Sequence, residues 1–126
     1  MGLSIDGDKL THDKNRRDKG GNPTYDRIYR AAQKLKSYGI MPDLLCTVNA
    51  ETVKTPIEVY RALRQLDTGW VQFIPVVVRD EDGNIDDISV TPEGYGDFLC
   101  AVFDEWIHND LGRLDVQLFA ETAKVW

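Results

Sequence analysis

At residues 44–48 the chain reads Leu44-Leu45-Cys46-Thr47-Val48, a short run that is almost continuously apolar. Such a run is typical of a strand that is covered on both faces, as the strands of a parallel sheet are. Three further strands are predicted at residues 3–7, 70–78 and 114–119. The fold is therefore expected to be built on these four strands.

Helices are predicted between the strands. The first begins with Asn22 as its cap and Pro23 as its first residue, and Gly39 ends it as a left-handed cap. The pattern of a capping box at Thr55 opens the second helix, and Thr91 caps the third. This alternation predicts an α/β fold of about three β-α units with a mostly parallel sheet.

Two connecting segments interrupt the alternation. Residues 8–21 are polar and are predicted to form a loop of about 14 residues, which is long for a compact domain unless it has a function. Residues 80–84 form a predicted turn, after which residues 85–90 are expected to fold back as a small hairpin. Pro75 cannot donate a ladder hydrogen bond, so strand pairing is expected to change at that residue.

Length and charge exclude several classes of protein. The 126 residues are expected to form a single domain, residues 1–126, with one core. Because 15 Lys and Arg stand against 21 Asp and Glu, the formal net charge is −6, which argues against nucleic acid as a partner. The sequence has no apolar run near the roughly 20 residues that cross a bilayer, so no membrane partner is expected.

The cysteines and histidines are sparse. The two residues of each type are too far apart in sequence to form a local metal motif, so no metal ligand is predicted. Cys46 and Cys100 each have apolar neighbours and are predicted to be core residues. Such sparse use of cysteine fits a reducing, cytoplasmic setting.

Ligands of parallel sheets bind at the carboxyl ends of the strands, which are expected at Ser4–Gly7, Thr47–Asn49 and Pro75–Arg79. Arg16 and Arg17 lie in the predicted loop that would overhang the first of these ends. Arginine binds carboxylates through two parallel hydrogen bonds. Spacing alone nevertheless favours a pair of surface charges over a carboxylate site.

Other polar residues have structural alternatives. Asp6 could place a carboxylate at a ligand site, but a turn in which it bonds its own backbone is favoured. His12 and Asp13 could act as a base and its orienting acid, but a solvated pair in a loop is favoured. Gln72 interrupts an apolar strand, and it could equally bond a ligand in the interior or a neighbouring backbone group.

Seven segments together carry a resemblance to a known family. They are Ser4-Ile5-Asp6-Gly7, His12-Asp13-Lys14-Asn15-Arg16, Asp18-Lys19-Gly20-Gly21-Asn22-Pro23-Thr24-Tyr25-Asp26, Thr47-Val48-Asn49, Gln72-Phe73-Ile74-Pro75, Thr91-Pro92-Glu93-Gly94-Tyr95 and Phe103-Asp104-Glu105-Trp106. They resemble the central region of anaerobic sulfatase-maturating enzymes, which are radical S-adenosylmethionine (SAM) enzymes with a C-terminal SPASM domain that carries auxiliary iron–sulfur clusters. The first two segments are shared widely among related radical enzymes, whereas residues 18–23 and 72–75 point more narrowly to sulfatase maturases.

The resemblance implies a fold and a reaction. The family fold is a (β/α)6 barrel, of which this chain would supply the C-terminal half as an internal fragment, with residues 113–126 starting the link to the C-terminal domain. The family oxidises an active-site Cys or Ser of a sulfatase polypeptide to formylglycine, using SAM that is cleaved on a [4Fe-4S] cluster. The cluster-binding cysteines, the Gly-Gly-Glu-Pro segment and the family's catalytic Asp have no counterpart in this chain. The resemblance thus implies no catalytic residue, no metal ligand and no cofactor bound to this chain alone, which is expected to be inactive.

Site residues can be carried over position by position. Ser4 would meet the ribose or the amino-acid end of SAM, Arg16 would approach its carboxylate, and Val77 would line its adenine. Gln72 would face the substrate cavity, and Arg17 would be only a neighbour of Arg16.

Two alternatives remain open at this point. The chain could belong to another SPASM-type radical SAM enzyme that modifies peptides, or it could be a self-contained α/β binding module. Half of a barrel leaves sheet edges unpaired and one sheet face partly uncovered, so the isolated chain is expected to form a homodimer. A monomer in gel filtration at tens of micromolar would contradict this expectation.

Overall fold

The computed structural model describes residues 2–16, 18–85, 87–110 and 114–119. Four strands form one parallel sheet in the order β1-β2-β3-β4, which confirms the α/β expectation. The strands are β1 Gly2–Ser4, β2 Asp43–Val48, β3 Trp70–Pro75 and β4 Asp115–Val116. The helices are α1 Lys9–Asn15, α2 Tyr25–Ser37, α3 Pro56–Arg64 and α4 Pro92–Asn109, with a short 3₁₀ helix at Thr52–Lys54.

The sheet has two unequal faces. One face, called here the core face, is packed against side chains of α3 and α4. Its fully buried members are Ile5, Leu44, Cys46, Val48 and Val71. The opposite face, called here the open face, is only partly covered, and strand register places on it Ser4, Leu45, Thr47, Gln72 and Ile74. Residues in register in a parallel sheet project to the same side, so polar groups of different strands meet on the open face.

Residues 8–21 are not a loop, because α1 occupies the middle of the segment. Asp8 caps this helix by accepting a hydrogen bond from the backbone nitrogen of Thr11 at 2.8 Å. The sequence pattern concealed the helix because its buried residue is the polar His12 rather than a member of an apolar stripe.

The second helix starts later than predicted, at Tyr25 rather than at Pro23. Asn22 is held in a separate turn, where its backbone nitrogen donates to the Asp18 carboxylate. The backbone amides at the start of α2, those of Thr24 and Tyr25, donate instead to the carboxylate of Asp13, a residue of α1. Gly39 has a φ of +77°, as expected of a left-handed helix end.

The caps of α3 and α4 differ. Thr91 accepts a hydrogen bond from the backbone nitrogen of Gly94, which confirms the predicted cap of α4. Thr55 does precede α3, with Pro56 as its first residue, but its side chain makes no capping hydrogen bond. The capping-box prediction is therefore wrong in its bonding, although it places the start of the helix correctly.

The predicted change of pairing at Pro75 is confirmed, because β3 ends at this residue. Beyond it, the backbone nitrogen of Val76 donates to Val48 of β2, and that of Val90 donates back to Val76. The expected hairpin at residues 85–90 is reduced to a single antiparallel bridge that pairs Arg79 with Ile85.

The remaining differences concern the later part of the chain. Only Asp115 and Val116 of the predicted strand at residues 114–119 pair with β3, and the three residues after them are helical. Of the predicted link at residues 113–126, residue 113 and residues 120–126 lie outside the described ranges. Cys100 is exposed on α4, so its assignment to the core was wrong, whereas Cys46 is buried. Among the described helices, no segment has the length and apolar character needed to cross a membrane.

Candidate functional site

A polar cleft lies at the carboxyl ends of β1 and β2, where ligands of parallel sheets bind. Its volume is about 330 Å³. The lining side chains belong to Asp6, Lys14, Arg16, Thr47, Asn49, Val76 and Ile88. The residue that follows β1 closely, Asp6, thus meets residues at the ends of β2 and α1.

Asp6 lines this cleft but is almost completely buried, with an exposed fraction of 1%. Its carboxylate accepts hydrogen bonds from the backbone nitrogen and the hydroxyl of Thr47, both at 3.0 Å, and from Nε of Arg16 at 2.7 Å. The favoured interpretation, a turn in which Asp6 bonds its own backbone, is therefore wrong. A buried carboxylate requires donors and a cation, and here β2 and Arg16 supply them.

Arg16 is the residue at which α1 ends, and about a third of its side chain is exposed to the cleft. Nε is bound to Asp6, and one terminal nitrogen lies 3.4 Å from the hydroxyl of Thr47. The other terminal nitrogen has no hydrogen-bond partner in the described part of the chain. A guanidinium held in this way can still donate to an anion in the cleft. Arg17 lies outside the described residues.

His12 is fully buried, so the expectation that it belongs to a solvated pair is wrong. The backbone nitrogen of Asp6 donates to Nδ1 of the imidazole at 3.1 Å, and Nε2 lies 2.9 Å from Oγ1 of Thr24. Because Nδ1 accepts a hydrogen bond, it carries no hydrogen itself, so the neutral ring has its hydrogen on Nε2 and donates it to Oγ1 of Thr24. His12 is occupied in this structural role, and Asp13 caps α2 rather than orienting a base.

The environment of His12 opposes its protonation. Burial lowers the pKa of His12 below its usual value, and this effect exceeds the opposing attraction of Asp6. Arg16 lowers the same pKa further, while Asp13 raises it. Protonation would also place a hydrogen on Nδ1 against the backbone N–H of Asp6, so the neutral form is the one that the surrounding hydrogen bonds require.

Acidification is therefore expected to destabilise the fold through His12. The unfolded chain binds this proton near pH 6.5, whereas the folded chain binds it only at a lower pH. The contribution of His12 is complete above about pH 6.5 and is lost as the pH falls through the folded-state pKa. The urea concentration at the midpoint of unfolding should decrease as the pH is lowered from 7.5 to 5.5. His12→Gln should make this midpoint less dependent on pH. His108→Gln, at the exposed histidine of α4, is the control, and an equal flattening by both variants would refute the assignment to His12.

Ser4 and Gln72 share one row of the open face. Register aligns Ser4 of β1 with Leu45 of β2, and Leu45 with Gln72 of β3. Both side chains are half-buried, and they lie on the same side of the sheet as Thr47. The structure thus brings these two predicted residues to the face from which the cleft opens.

Val77 is not in the cleft that contains Arg16. It is 58% exposed and lines a second, mainly apolar cleft of about 350 Å³ beyond the end of β3. Tyr95, Val90 and Arg79 contribute to the same cleft. Its neighbour Val76 is the residue that borders the polar cleft.

Several residues that line the cleft had no predicted role. Thr47, Asn49 and Lys14 stand in segments that carry the family resemblance, and Thr47 and Asn49 also mark the end of a strand, but none of them was predicted as a site residue. Asn49 accepts hydrogen bonds from the backbone nitrogens of Glu51 and Thr52 at 2.9 and 2.8 Å, which shapes the turn after β2. The position of polar residues directly after an apolar run was the available signal.

The donors needed for an iron–sulfur cluster are not assembled in the described ranges. No group of three His, Cys, Asp or Glu side chains comes together there. Cys46 is buried in the core, where burial raises the pKa of its thiol, and Cys100 lies on the exposed surface of α4. Neither cysteine borders the polar cleft.

Comparison with known proteins gives consistent results for sequence and structure. No protein-family model matches the chain. It is 31% identical over 141 residues to the serine-type anaerobic sulfatase-maturating enzyme of Bacteroides thetaiotaomicron, a match that covers 100% of this chain and 34% of the relative. It is 32% identical over 123 residues to the cysteine-type anaerobic sulfatase-maturating enzyme of Clostridium perfringens, covering 94% of this chain and 33% of the relative.

Solved structures agree with these matches. Native anSMEcpe with bound AdoMet superposes with a TM-score of 0.80 at 30% identity, over 94% of this chain and 33% of the other. Native anSMEcpe with bound AdoMet and Cp18Cys peptide gives a TM-score of 0.82 at 30% identity, over 94% of this chain and 34% of the other. This chain spans about a third of the length of the curated relatives that it matches.

Proposed function

The chain belongs to the anaerobic sulfatase-maturating enzyme family, and on that basis we propose that it forms one wall of the SAM site in a radical SAM oxidoreductase. The proposed reaction is oxidation of an active-site Cys or Ser of a sulfatase polypeptide to formylglycine. The alternatives, another peptide-modifying radical SAM enzyme or a self-contained binding module, are not favoured by these relatives.

The geometry of Arg16 carries this proposal. SAM ends in an α-carboxylate, and the guanidinium of Arg16 borders the polar cleft with one terminal nitrogen unbonded within the described residues. Asp6 holds Nε, so the remaining nitrogens are presented in a defined orientation. Lys14 adds a second positive charge to the same cleft. The residues present therefore fit the carboxylate end of this cofactor.

The other proposed contacts lie on the open face of the sheet and in the apolar cleft beyond β3. Ser4, on the open face beside β2, would hold the ribose or the amino-acid end of SAM. Val77 would line the adenine from the apolar cleft beyond β3, which is separate from the cleft of Arg16. Gln72, in register with Ser4 through Leu45, would face the substrate polypeptide. When bound, SAM supplies the one-electron chemistry that removes hydrogen from the substrate side chain.

The described residues do not fit a [4Fe-4S] cluster, because they bring no group of three His, Cys, Asp or Glu side chains together. We propose that parts of the complete protein other than this chain hold the clusters that the family implies, and that this chain alone is inactive. Two unpaired cysteines support a reducing compartment, the cytoplasm. Exposed Ile74, Val77 and Ile88 around the open face support self-association of the isolated chain as a homodimer.

Removal of the Arg16 side chain tests the proposed function. In the complete protein that contains this chain, Arg16→Ala is expected to weaken SAM binding by about 10- to 100-fold, because a charge-assisted hydrogen bond contributes about 1.5–3 kcal/mol. Equilibrium dialysis with labelled SAM under anaerobic conditions measures this change. The matched control is Arg27→Ala, which removes an exposed arginine paired with Asp18, outside the polar cleft. Equal affinities for Arg16→Ala and the unmodified protein would refute the assignment.

A further inference from the structure

Four residues form a closed ring of hydrogen bonds behind the polar cleft. The backbone nitrogen of Asp6 donates to Nδ1 of His12 at 3.1 Å, and Nε2 of His12 donates to Oγ1 of Thr24 at 2.9 Å. The hydroxyl of Thr24 donates to the carbonyl oxygen of Arg16 at 3.0 Å. Nε of Arg16 closes the ring by donating to the carboxylate of Asp6 at 2.7 Å. Within the ring each residue donates one hydrogen bond and accepts one, so one set of proton positions satisfies all four bonds.

The ring holds Arg16 at several points. At the end of α1 its backbone becomes extended, and its backbone nitrogen donates to the carbonyl of His12 at 2.8 Å. Thr24 holds its carbonyl, and Asp6 holds the start of its guanidinium. An arginine side chain loses about 2 kcal/mol of conformational entropy when it is immobilised. Fixing it before a ligand arrives reduces that contribution to the free energy of binding.

His12 and Thr24 do not border the cleft themselves. His12 is fully buried, and Thr24 is half-buried between α1 and α2. An imidazole with both nitrogens engaged has no proton to exchange with a ligand. The contribution of both residues to binding must therefore pass through Arg16.

We propose that His12 and Thr24 are positioning residues, which hold Arg16 in the orientation that receives the ligand carboxylate. This inference rests on the proposed function, because it takes Arg16 as the carboxylate-binding group. It predicts that breaking the ring weakens recognition of the carboxylate specifically, and leaves the rest of the ligand's contacts unaffected.

The test uses Thr24→Val, which removes the hydroxyl at nearly constant shape, and Thr24→Ser, which keeps it. In the complete protein, dissociation constants are measured for SAM and for decarboxylated SAM, which lacks the carboxylate. The preference for the carboxylate is the dissociation constant of decarboxylated SAM divided by that of SAM. This ratio is expected to fall about 3- to 10-fold in Thr24→Val and to stay unchanged in Thr24→Ser, because one neutral hydrogen bond contributes about 1 kcal/mol. A merely structural effect would weaken both ligands equally and leave the ratio unchanged, which would overturn the proposal.

A second measurement separates this inference from the proposed function. In the complete protein without any ligand, ¹⁵N relaxation reports the order of the Arg16 Nε–H bond. Order should fall in Thr24→Val and recover in Thr24→Ser, and equal order in all three proteins overturns the positioning role. If the unmodified protein binds both ligands equally, the proposed function is refuted. The relaxation data then decide by themselves whether the ring holds Arg16.

Discussion

Asp110→Ala is expected to lower the free energy of unfolding by about 3–5 kcal/mol, because it removes the acceptor of a buried polar cluster and leaves the donors of that cluster unpaired. Asp110 is 1% exposed, and its carboxylate accepts hydrogen bonds from the hydroxyl of Tyr60 at 2.7 Å and from Arg64 at 3.1 Å. Burial and the neighbouring Asp110 raise the pKa of Tyr60, so its hydroxyl remains a donor at neutral pH. Alanine would leave this buried hydroxyl without its acceptor.

The position of Asp110 increases the expected effect. Asp110 lies at the end of α4, where its backbone nitrogen donates to the carbonyl of Trp106. Its own carbonyl accepts a hydrogen bond from the backbone nitrogen of Leu114, just before β4. The indole of Trp106 also donates to the carbonyl of Leu114. Loss of the carboxylate is therefore expected to loosen the attachment of β4 to the sheet.

Urea unfolding of the purified chain measures this effect. Tyr60→Phe is expected to cost only about 1 kcal/mol, since Asp110 keeps Arg64 as its partner. Arg61→Ala removes an exposed ion pair with Glu105 and should change stability by less than about 1 kcal/mol. An Asp110→Ala variant as stable as Arg61→Ala would show that the cluster does not support the end of α4.

Asp6→Ala is expected to lower the free energy of unfolding by about 2–4 kcal/mol and to weaken SAM binding in the complete protein. The carboxylate is buried and accepts hydrogen bonds from Thr47 and Arg16, so alanine leaves a backbone amide of β2 and a guanidinium without their acceptor. Arg16 is a third exposed and can regain water, which limits this cost.

A double-mutant cycle of Asp6→Ala with Arg16→Ala separates two contributions of Asp6 to stability, its ion pair with Arg16 and its hydrogen bonds with Thr47. Coupling between the two substitutions is expected to be about 1–3 kcal/mol in urea unfolding, since the groups are in direct contact. Asp26→Ala, which breaks an exposed ion pair with Lys9, is the matched control and should have little effect. If the effects of Asp6→Ala and Arg16→Ala on the free energy of unfolding are additive, the ion pair does not link the stability of the fold to the cleft.

Much of the fold could be predicted because the relevant signals are local. The apolar run at residues 44–48 and the alternation of strands and helices indicated the parallel sheet, and Thr91 and Gly39 marked helix ends correctly. The errors at α1 and α2 occurred because these helices depend on groups that are distant in the sequence. Helix α1 is built around a buried histidine, and α2 is capped by Asp13, which belongs to another helix.

The candidate site was predictable only in part. Resemblance indicated Arg16, Ser4 and Gln72, and the structure places the last two on one row of the open face. Neither spacing nor resemblance indicated that Asp6 holds Arg16, since local turn chemistry was the favoured explanation for that residue. The separation of Val77 from the polar cleft also depends on the course of the chain beyond Pro75.

The amino-acid sequence alone was sufficient for the class of fold, the order of its four strands and the family resemblance. These depend on hydrophobic periodicity, helix-capping residues and short motifs, each of which is contained within a few consecutive residues. The tertiary structure alone decided the partners of Asp6, His12 and Thr24. Their hydrogen bonds join groups that lie between 6 and 41 positions apart, and burial determines which of these groups must be paired. No local pattern encodes such pairings, because they form only when the folded core excludes water from all the partners together.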